Sequence, residues 1–505
     1  MHKLRLIICA PFLLLLTFFF ACNDEESYSS SPQDLLSFSS DTIRFDTILS
    51  TVNTPFKAFM VYNKNSKPLL ISSVRLKNSG QSGFKINVNG SAGSSFENVE
   101  IRAKDSLFVF VDIKPDMSMD NQPVLITDYI EFVTNNVRQE VVLEAYNQDV
   151  VIWKGQTILS DSILDNRIPY LIYDSLVIEE GISVGIKEGT VFYMHHNAEI
   201  IVKGTLNITG TPENPVTIRG DRMDEILTGV PYNLIPGQWG GIRFTSTSFN
   251  NVFENAHIRN GNYGLNLEVS EPIEPKLTMK NVVLTNAKGI LINSVNCKLI
   301  AENCEFSNSK GALLNLIGGH YSFAHCTMAN YYFSDPELGW GNSDNETVVL
   351  SNYIINWETE NEYYPLEQAA FYNSIIWGSK YRTTSEVSIR ANKESSVSYY
   401  FQNCLIPNAD ATNDDINNTD TIPTVVDCLF NVDPKFRDSN PVKDGKYEFI
   451  YDFRIDSLSP ARNVANPDIA RLIPLDMNGL DRFSDDGPDM GGYEYYKENE
   501  EKVNE

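Results

Sequence analysis

The sequence predicts an all-β chain, with an N-terminal β-sandwich followed by a solenoid of stacked coils. Three observations predict it. Between residues 38 and 149, about seven short strand-like segments are separated by turn residues. From residue 150 the texture changes to short hydrophobic strands broken by glycine. Within that second region a six-residue pattern (apolar, any, Asn, small, any, apolar) occurs seven times, and such recurrence marks a repeat architecture.

Composition narrows the function classes. The chain has 505 residues, a formal net charge of −26 and seven cysteines. That length fits two to four domains. Hydrophobic residues make up 42 %, enough for sizeable cores, and 21 % charged residues is too few for a disordered polyanion. The acidic balance argues against a nucleic-acid partner, which needs a basic face. An odd cysteine count argues against a complete disulfide framework, and no CxxC or Cys/His zinc spacing is present.

Residues 1–21 read as a signal peptide. Lys3 and Arg5 precede an apolar run from Leu6 to Phe20, too short for a comfortable membrane span. The run ends in Phe19-Phe20-Ala21-Cys22, which resembles a bacterial lipobox. That resemblance implies cleavage before Cys22 and acylation of Cys22, and several acyl chains anchor a protein without a spanning helix. An ordinary signal peptide with an incidental cysteine is the alternative. Loss of Lys3 and Arg5 with the leader takes the charge from −26 to −28, so attraction to an anionic surface is not the anchor. Residues 22–37 form an acidic, Ser-rich linker. Its Asn23-Asp24-Glu25-Glu26 resembles the export tag that sends some Gram-negative lipoproteins to the outer face of the outer membrane. A solvated linker is the alternative.

In residues 38–149 the strands fall at Thr42–Leu49, Lys57–Tyr62, Leu69–Leu76, Phe84–Val88, Leu107–Ile113, Asp128–Val133 and Glu140–Tyr146. Asn63-Lys64-Asn65, Asn78-Ser79-Gly80 and Asn89-Gly90 punctuate them. The segment resembles the immunoglobulin-like modules of bacterial surface proteins, with the role of a spacer or docking module.

Residues 150–432 carry the repeat. The pattern begins at Phe253-Glu254-Asn255-Ala256-His257-Ile258 and returns with third positions Asn281, Asn303, His325, Asn373, Asn403 and Asp427, at steps of 26, 22, 22, 48, 30 and 24 residues. The step of 48 suits either two coils or one coil with an insertion. Strand alternation assigns faces. One position after the Asn stand Ala256, Val282, Cys304, Cys326, Ser374, Cys404 and Cys428, and three after it stand large apolar residues from Ile258 to Phe430. Both columns are expected to point inward. Five after it stand Asn260, Asn286, Asn308, Asn330 and Asn408. Amides stacked about 4.8 Å apart can bond along the column, and Asn tolerates the left-handed backbone of a sharp turn.

The stretch Gly204-Thr205-Leu206 through Gly210-Thr211-Pro212, followed by Trp239-Gly240-Gly241-Ile242, resembles the opening coils of right-handed, single-stranded parallel β-helix proteins of the pectate-lyase-like superfamily. An Asn ladder is a feature of that family. Residues 433–496, including Asp433-Pro434-Lys435-Phe436 and Pro488-Asp489-Met490-Gly491-Gly492, resemble its closing segment, expected as a polar cap over the last coil. Residues 497–505 form a charged tail.

Several constellations compete as sites. The cysteines of the inward column, with Cys297, read as small buried hydrophobes, a disulfide between stacked neighbours such as Cys304 and Cys326 being the alternative. Asp476, Asn478, Asp481, Asp485, Asp486 and Asp489 could hold Ca²⁺, but their spacing does not complete an EF-hand, and a capping turn is favoured. His195 and His196 face opposite ways on a strand and do not suit one ion. No other cofactor is indicated. The step of 48 carries Tyr331, Tyr332, Trp340, Trp357, Tyr363 and Tyr364 among acidic residues, a mixture that suits sugar rings but also suits packing. Lys288 and Lys310 share a slot, with Glu302, Glu305 and Arg259 nearby, a loose match to lyase chemistry on a helix where outward charge is ordinary.

The expected protein is therefore a surface lipoprotein anchored to the outer membrane that binds glycan without catalysis. A polysaccharide lyase or glycoside hydrolase is the second reading, and a scaffold for envelope proteins the third, because this fold hosts all of them.

Overall fold

A computed structural model describes residues 27–496 apart from 119, 121, 228–229, 333–345, 356–359, 379–385, 408–420, 441, 444–445 and 448–449. Cys22, Trp340, Trp357, Asn408 and the charged tail lie outside the described residues. The chain divides into two compact units, Met1–Asp149 and Val150–Glu505.

The first unit is a two-layer sandwich. One five-stranded sheet runs in the order Ser37–Phe38, Lys57–Tyr62, Ser106–Ile113, Phe84–Val88, Ser91–Gly93. The other runs Thr42–Leu49, Val137–Gln148, Val124–Thr134, Leu69–Leu76, Ser95–Ile101. Alternation builds the core: Leu107, Val109, Val111 and Ile113 point in from one strand and meet Ile130, Phe132, Val141 and Leu143 from the facing sheet. All seven expected strands are present. The sequence reading missed Ser95–Ile101, an edge strand whose Phe96, Val99 and Ile101 reach the core, because Asn98 at φ 55° interrupts the apolar alternation between them.

The second unit is a parallel β-helix, a 26-stranded sheet in which each strand pairs with the equivalent strand one coil on. Its coils have three faces. The first stacks Glu199–Val202, Gly241–Phe244, Leu265–Leu267, Ile292–Val295, Leu314–Ile317, Val348–Ser351 and Val387–Arg390. The second includes Lys298–Glu302, Gly319–Ala324, Leu366–Tyr372 and Val397–Gln402. The third, hereafter the flank, stacks Val216–Gly220, the second halves of Asn251–Arg259 and Leu277–Ala287, then Glu305–Ser309, Thr327–Asn330, Ile375–Gly378 and Leu405–Ile406.

The third template position is the corner between the second face and the flank. Asn255, Asn281, Asn303, His325, Asn373, Asn403 and Asp427 all have φ between 48° and 53°. That left-handed geometry costs most L-residues about 1–2 kcal/mol and Asn less, which explains the recurrence of Asn. Two positions earlier, Phe323, Phe371 and Phe401 stack inside the coil with centroids 5.0 and 4.8 Å apart and planes within 9° of parallel. Those separations match the spacing of neighbouring strands.

The step of 48 is one coil with insertions, since Phe323 pairs directly with Phe371 and Met328 with Ile376. The closing segment departs from expectation. Instead of lying only over the last coil, it runs lengthwise along the flank. Leu475 accepts from Asn303 Nδ2 (2.6 Å), Gly492 N–H donates to Thr327 Oγ1 (3.0 Å), Asn466 caps Asn373 in both directions, and Val464 accepts from Asn403 Nδ2 (3.1 Å). Phe436, Phe453, Ile455 and Met490 bury against Ala329, Ile375 and Leu405 of the flank. At the last coil Phe430, expected to point in, is 42 % exposed, because Leu429–Phe430 is the end strand of the sheet among the described residues.

Candidate functional site

The inward columns pack the core of the solenoid. Cys297, Cys304, Cys326, Cys404 and Cys428 are all free thiols, buried or half-buried in the solenoid. Burial pushes Cys297, Cys326 and Cys404 above the ordinary thiol range, so they are not thiolates. The column Asn260, Asn286, Asn308 and Asn330 does not bond along itself. Asn260 donates to Asn233 O and Ile235 O, Asn286 to Leu234 O, and Asn330 to Gly311 O, so these amides tie loops to the coils. The amide ladder runs elsewhere. Asn315 Nδ2 donates to Asn293 Oδ1 (2.8 Å) and Asn293 Nδ2 to Asn266 Oδ1 (2.9 Å) on the first face. Its signal was present as Asn recurring within Leu265–Leu267, Ile292–Val295 and Leu314–Ile317.

The acidic cluster of the closing segment serves its own backbone. Asp476 accepts from the N–H groups of Asn478, Leu480 and Glu494, and Asp489 from those of Asn463 and Tyr495. Arg482, fully buried, binds Glu494 and donates to Asn303 Oδ1 (2.6 Å). Burial nevertheless pushes the Glu494 carboxyl up to about 8. His195 pairs through Nδ1 with Asp221 (2.6 Å) beneath the Tyr173 ring, while His196 is exposed. His325 takes a corner position, contacts Asn373 at 2.9 Å and is held neutral by burial.

What remains is a cleft of about 210 Å³ on the flank. Its floor is the outward side of the coil strands, with Arg259, Thr285, Glu305 and Ser307. One wall is the loop Asn233, Leu234 and Pro236, held down by Asn260 and Asn286. The other is Tyr451 and Phe453 of the closing segment, with Tyr332 and Asn308 beside them. Two insertions and the closing segment thus build the walls, and the repeat supplies the floor.

The chemistry of the cleft is mixed. Glu305 accepts from Ser307 Oγ (2.9 Å) at one oxygen and from the Tyr493 hydroxyl (2.6 Å) at the other, and burial raises it above the ordinary carboxylate range. Ser307 Oγ also lies 2.8 Å from Thr285 Oγ1. Burial lowers the Arg259 guanidinium to about 10, with help from the charge on Arg219, so it stays cationic at neutral pH. Tyr332 is buried to 8 % exposure, which raises its hydroxyl to about 12.

Of the expected aromatic contacts, Tyr332 lines this cleft. Tyr331 packs its ring on Phe436 and Phe453 (6.1 and 5.6 Å). Tyr363 and Tyr364 sit on or beside a short hairpin, Tyr353–Ile354 with Glu362–Tyr363, and are not among the lining residues. Arg259 and Glu305, noted in the sequence for their proximity to lysines, come together here, whereas Lys288 and Lys310 are exposed outside the lining. The sequence reading missed Tyr451 and Phe453, because nothing local places residues 450–453 against a coil about 150 positions earlier.

Among the described residues no helix is long and apolar enough to cross a membrane. No family model matches the chain, and no curated protein matches it. Among solved structures it is similar to the catalytic unit of a GH87 alpha-1,3-glucanase from Streptomyces thermodiastaticus, at 9 % identity and a TM-score of 0.24, over 74 % of this chain and 89 % of that one. It is also similar to a protein of unknown function from Porphyromonas gingivalis (13 % identity, TM-score 0.18, 24 % of this chain and 51 % of that one). A family 123 glycoside hydrolase from Clostridium perfringens is similar at 13 % identity and a TM-score of 0.18, over 26 % of this chain and 30 % of that one. The chain thus spans about half of the second protein and a third of the third. Likeness at this level transfers neither residues nor activity.

Proposed function

We propose that this chain is a lipid-anchored outer-membrane protein, facing the cell exterior, whose β-helix binds glycan in the flank cleft without cleaving it. The observation that carries the reading is the make-up of the cleft. The half-exposed Tyr451 ring, backed by the buried Tyr332 and Phe453, stands beside amide and hydroxyl groups of Asn233, Asn308 and Thr285. Sugar rings need that pairing of π faces with polar partners. Glycoside hydrolysis ordinarily uses two carboxyl groups flanking the bond. Glu305 is the one carboxyl among the described lining residues, and both its oxygens are engaged. Binding therefore has more support than hydrolysis.

Retention on a polysaccharide array tests it. Asn308→Ala and Tyr332→Ala should weaken retention with melting measured in parallel, and unchanged retention removes the cleft from the proposal. Trp340→Ala and Trp357→Ala test a second contact on the aromatic insertion, where Tyr363 is 39 % exposed. The anchor has its own test. Cys22→Ala should move the protein from the membrane to the soluble fraction and abolish incorporation of labelled fatty acid. Release of unsaturated uronate, seen as ultraviolet absorbance, would instead favour the lyase alternative.

A further inference from the structure

Two arginines stand side by side on the outward side of the flank. Ile218 is in register with Ile258, so Arg219 and Arg259, the next residues, occupy the same position on neighbouring coils. Parallel strands lie about 4.8 Å apart, and two guanidinium groups at that spacing repel each other. In a chain of net charge −26, acids are plentiful, yet among the described residues neither arginine forms an ion pair. Arg219 donates only to carbonyls, from Nε to Gly220 O (3.1 Å) and from Nη2 to Arg222 O (2.8 Å). The nearby Asp221 is turned to His195. Among the described residues no hydrogen bond or ion pair reaches the Arg259 side chain, and its Nε is buried without a partner while the residue lines the open cleft. A desolvated guanidinium nitrogen without a partner is costly unless something outside the chain completes the group.

The rest of the cleft suits a negative ligand. Thr285, one coil beyond Arg259 in the same column, also lines the cleft, its hydroxyl accepting from Ser307 Oγ (2.8 Å). Glu305, the carboxyl nearest in the lining, is tied to Ser307 and Tyr493, and its burial favours the neutral form. We infer that Arg259, supported by Arg219, binds an oxyanion carried on the saccharide, a carboxylate or a sulfate ester, so that the cleft selects acidic glycan over neutral glycan. The inference rests on the saccharide reading of the cleft. Bulk charge cannot produce that preference, because the acidic protein as a whole repels polyanions.

Three polymers with one backbone test it: dextran, carboxymethyl-dextran and dextran sulfate, titrated onto the full-length chain at physiological salt, with inorganic sulfate as a fourth probe. At least one anionic dextran should bind ten-fold or more tightly than dextran, and which one does so identifies the anion. Arg259→Gln should remove that preference, Arg259→Lys should keep part of it, and Arg219→Gln should reduce it. Because the arginines repel each other, Arg259→Gln should melt no lower than the parent chain without ligand, which separates lost binding from lost folding. Equal binding of all three dextrans, or a preference that survives Arg259→Gln, overturns the inference and leaves the saccharide reading standing. Binding of inorganic sulfate through Arg259 with no dextran bound overturns the saccharide reading as well. Binding of none of the four probes overturns the anion site itself.

Discussion

The flank of the β-helix is one structural surface with two characters. In its earlier coils the outward positions hold Arg219, Arg259, His257 and Thr285 and face the cleft or solvent. In its later coils the equivalent positions hold Ala329, Ile375 and Leu405 and lie buried under the closing segment. Backbone pairing is the same throughout. The difference teaches that a solenoid fixes where side chains point, while the segment laid across it decides which of them become core. The cleft lies where the cover begins, with Glu305 and Ser307 on its floor and Tyr451 and Phe453 at its edge.

The comparison breaks most severely at Arg482. Its guanidinium donates to Glu494 and Asn303 where neither Arg482 nor Glu494 is exposed, and taking a donor from a buried oxygen costs about 1–3 kcal/mol at each partner. Arg482→Ala is therefore expected to lower stability by that much in denaturant titration and to free residues 475–494 to hydrogen exchange. Ile375→Ala, in the covered half, should cost about 2–5 kcal/mol. Val283→Ala, in the same column of the half-exposed earlier coils, should cost less than about 1 kcal/mol. Equal costs at the two sites would deny that the cover makes core out of the flank.

A pH scan sharpens the same contrast. Burial raises Glu305, Asp476, Asp489 and Glu494, the last to about 8. Unfolded carboxyls ionise near 4, so above that pH the folded chain holds more protons than the unfolded one. Stability from this seam is then complete below the ordinary carboxylate range and is lost as pH rises towards about 8. The melting midpoint should be lower at pH 8.5 than at pH 5.5, and Glu494→Gln should flatten that slope. A flat profile in the parent chain would place these carboxyls in a more solvated setting. The smallest effect belongs to the uncovered half. Relieving the repulsion between neighbouring guanidinium groups, Arg219→Gln or Arg259→Gln should change stability by no more than about 0.5 kcal/mol, towards greater stability, read as a melting midpoint.

Much of this architecture was legible. The template Asn marks the left-handed corner, and the residues one and three after it fill the core, because a strand period of two ties face to position without any knowledge of the rest of the chain. The amide ladder was assigned to the wrong column: Asn260, Asn286 and Asn330 recur in sequence just as Asn266, Asn293 and Asn315 do, and only their neighbours show which amides meet each other and which meet a loop carbonyl. The candidate site was half legible. Arg259, Glu305 and Tyr332 stood out by type, but Tyr451 and Phe453 belong to a segment whose path is not periodic.

By itself the sequence determined the period, the faces and the corners, because those follow from local backbone geometry repeated coil after coil. Only the tertiary structure decided that the step of 48 is one coil, that residues 433–496 run along the flank, and that a cleft opens where their cover starts. Those outcomes depend on contacts between positions more than a hundred residues apart, such as Asn303 with Leu475 and Glu305 with Tyr493, and no local pattern encodes a partner at that distance.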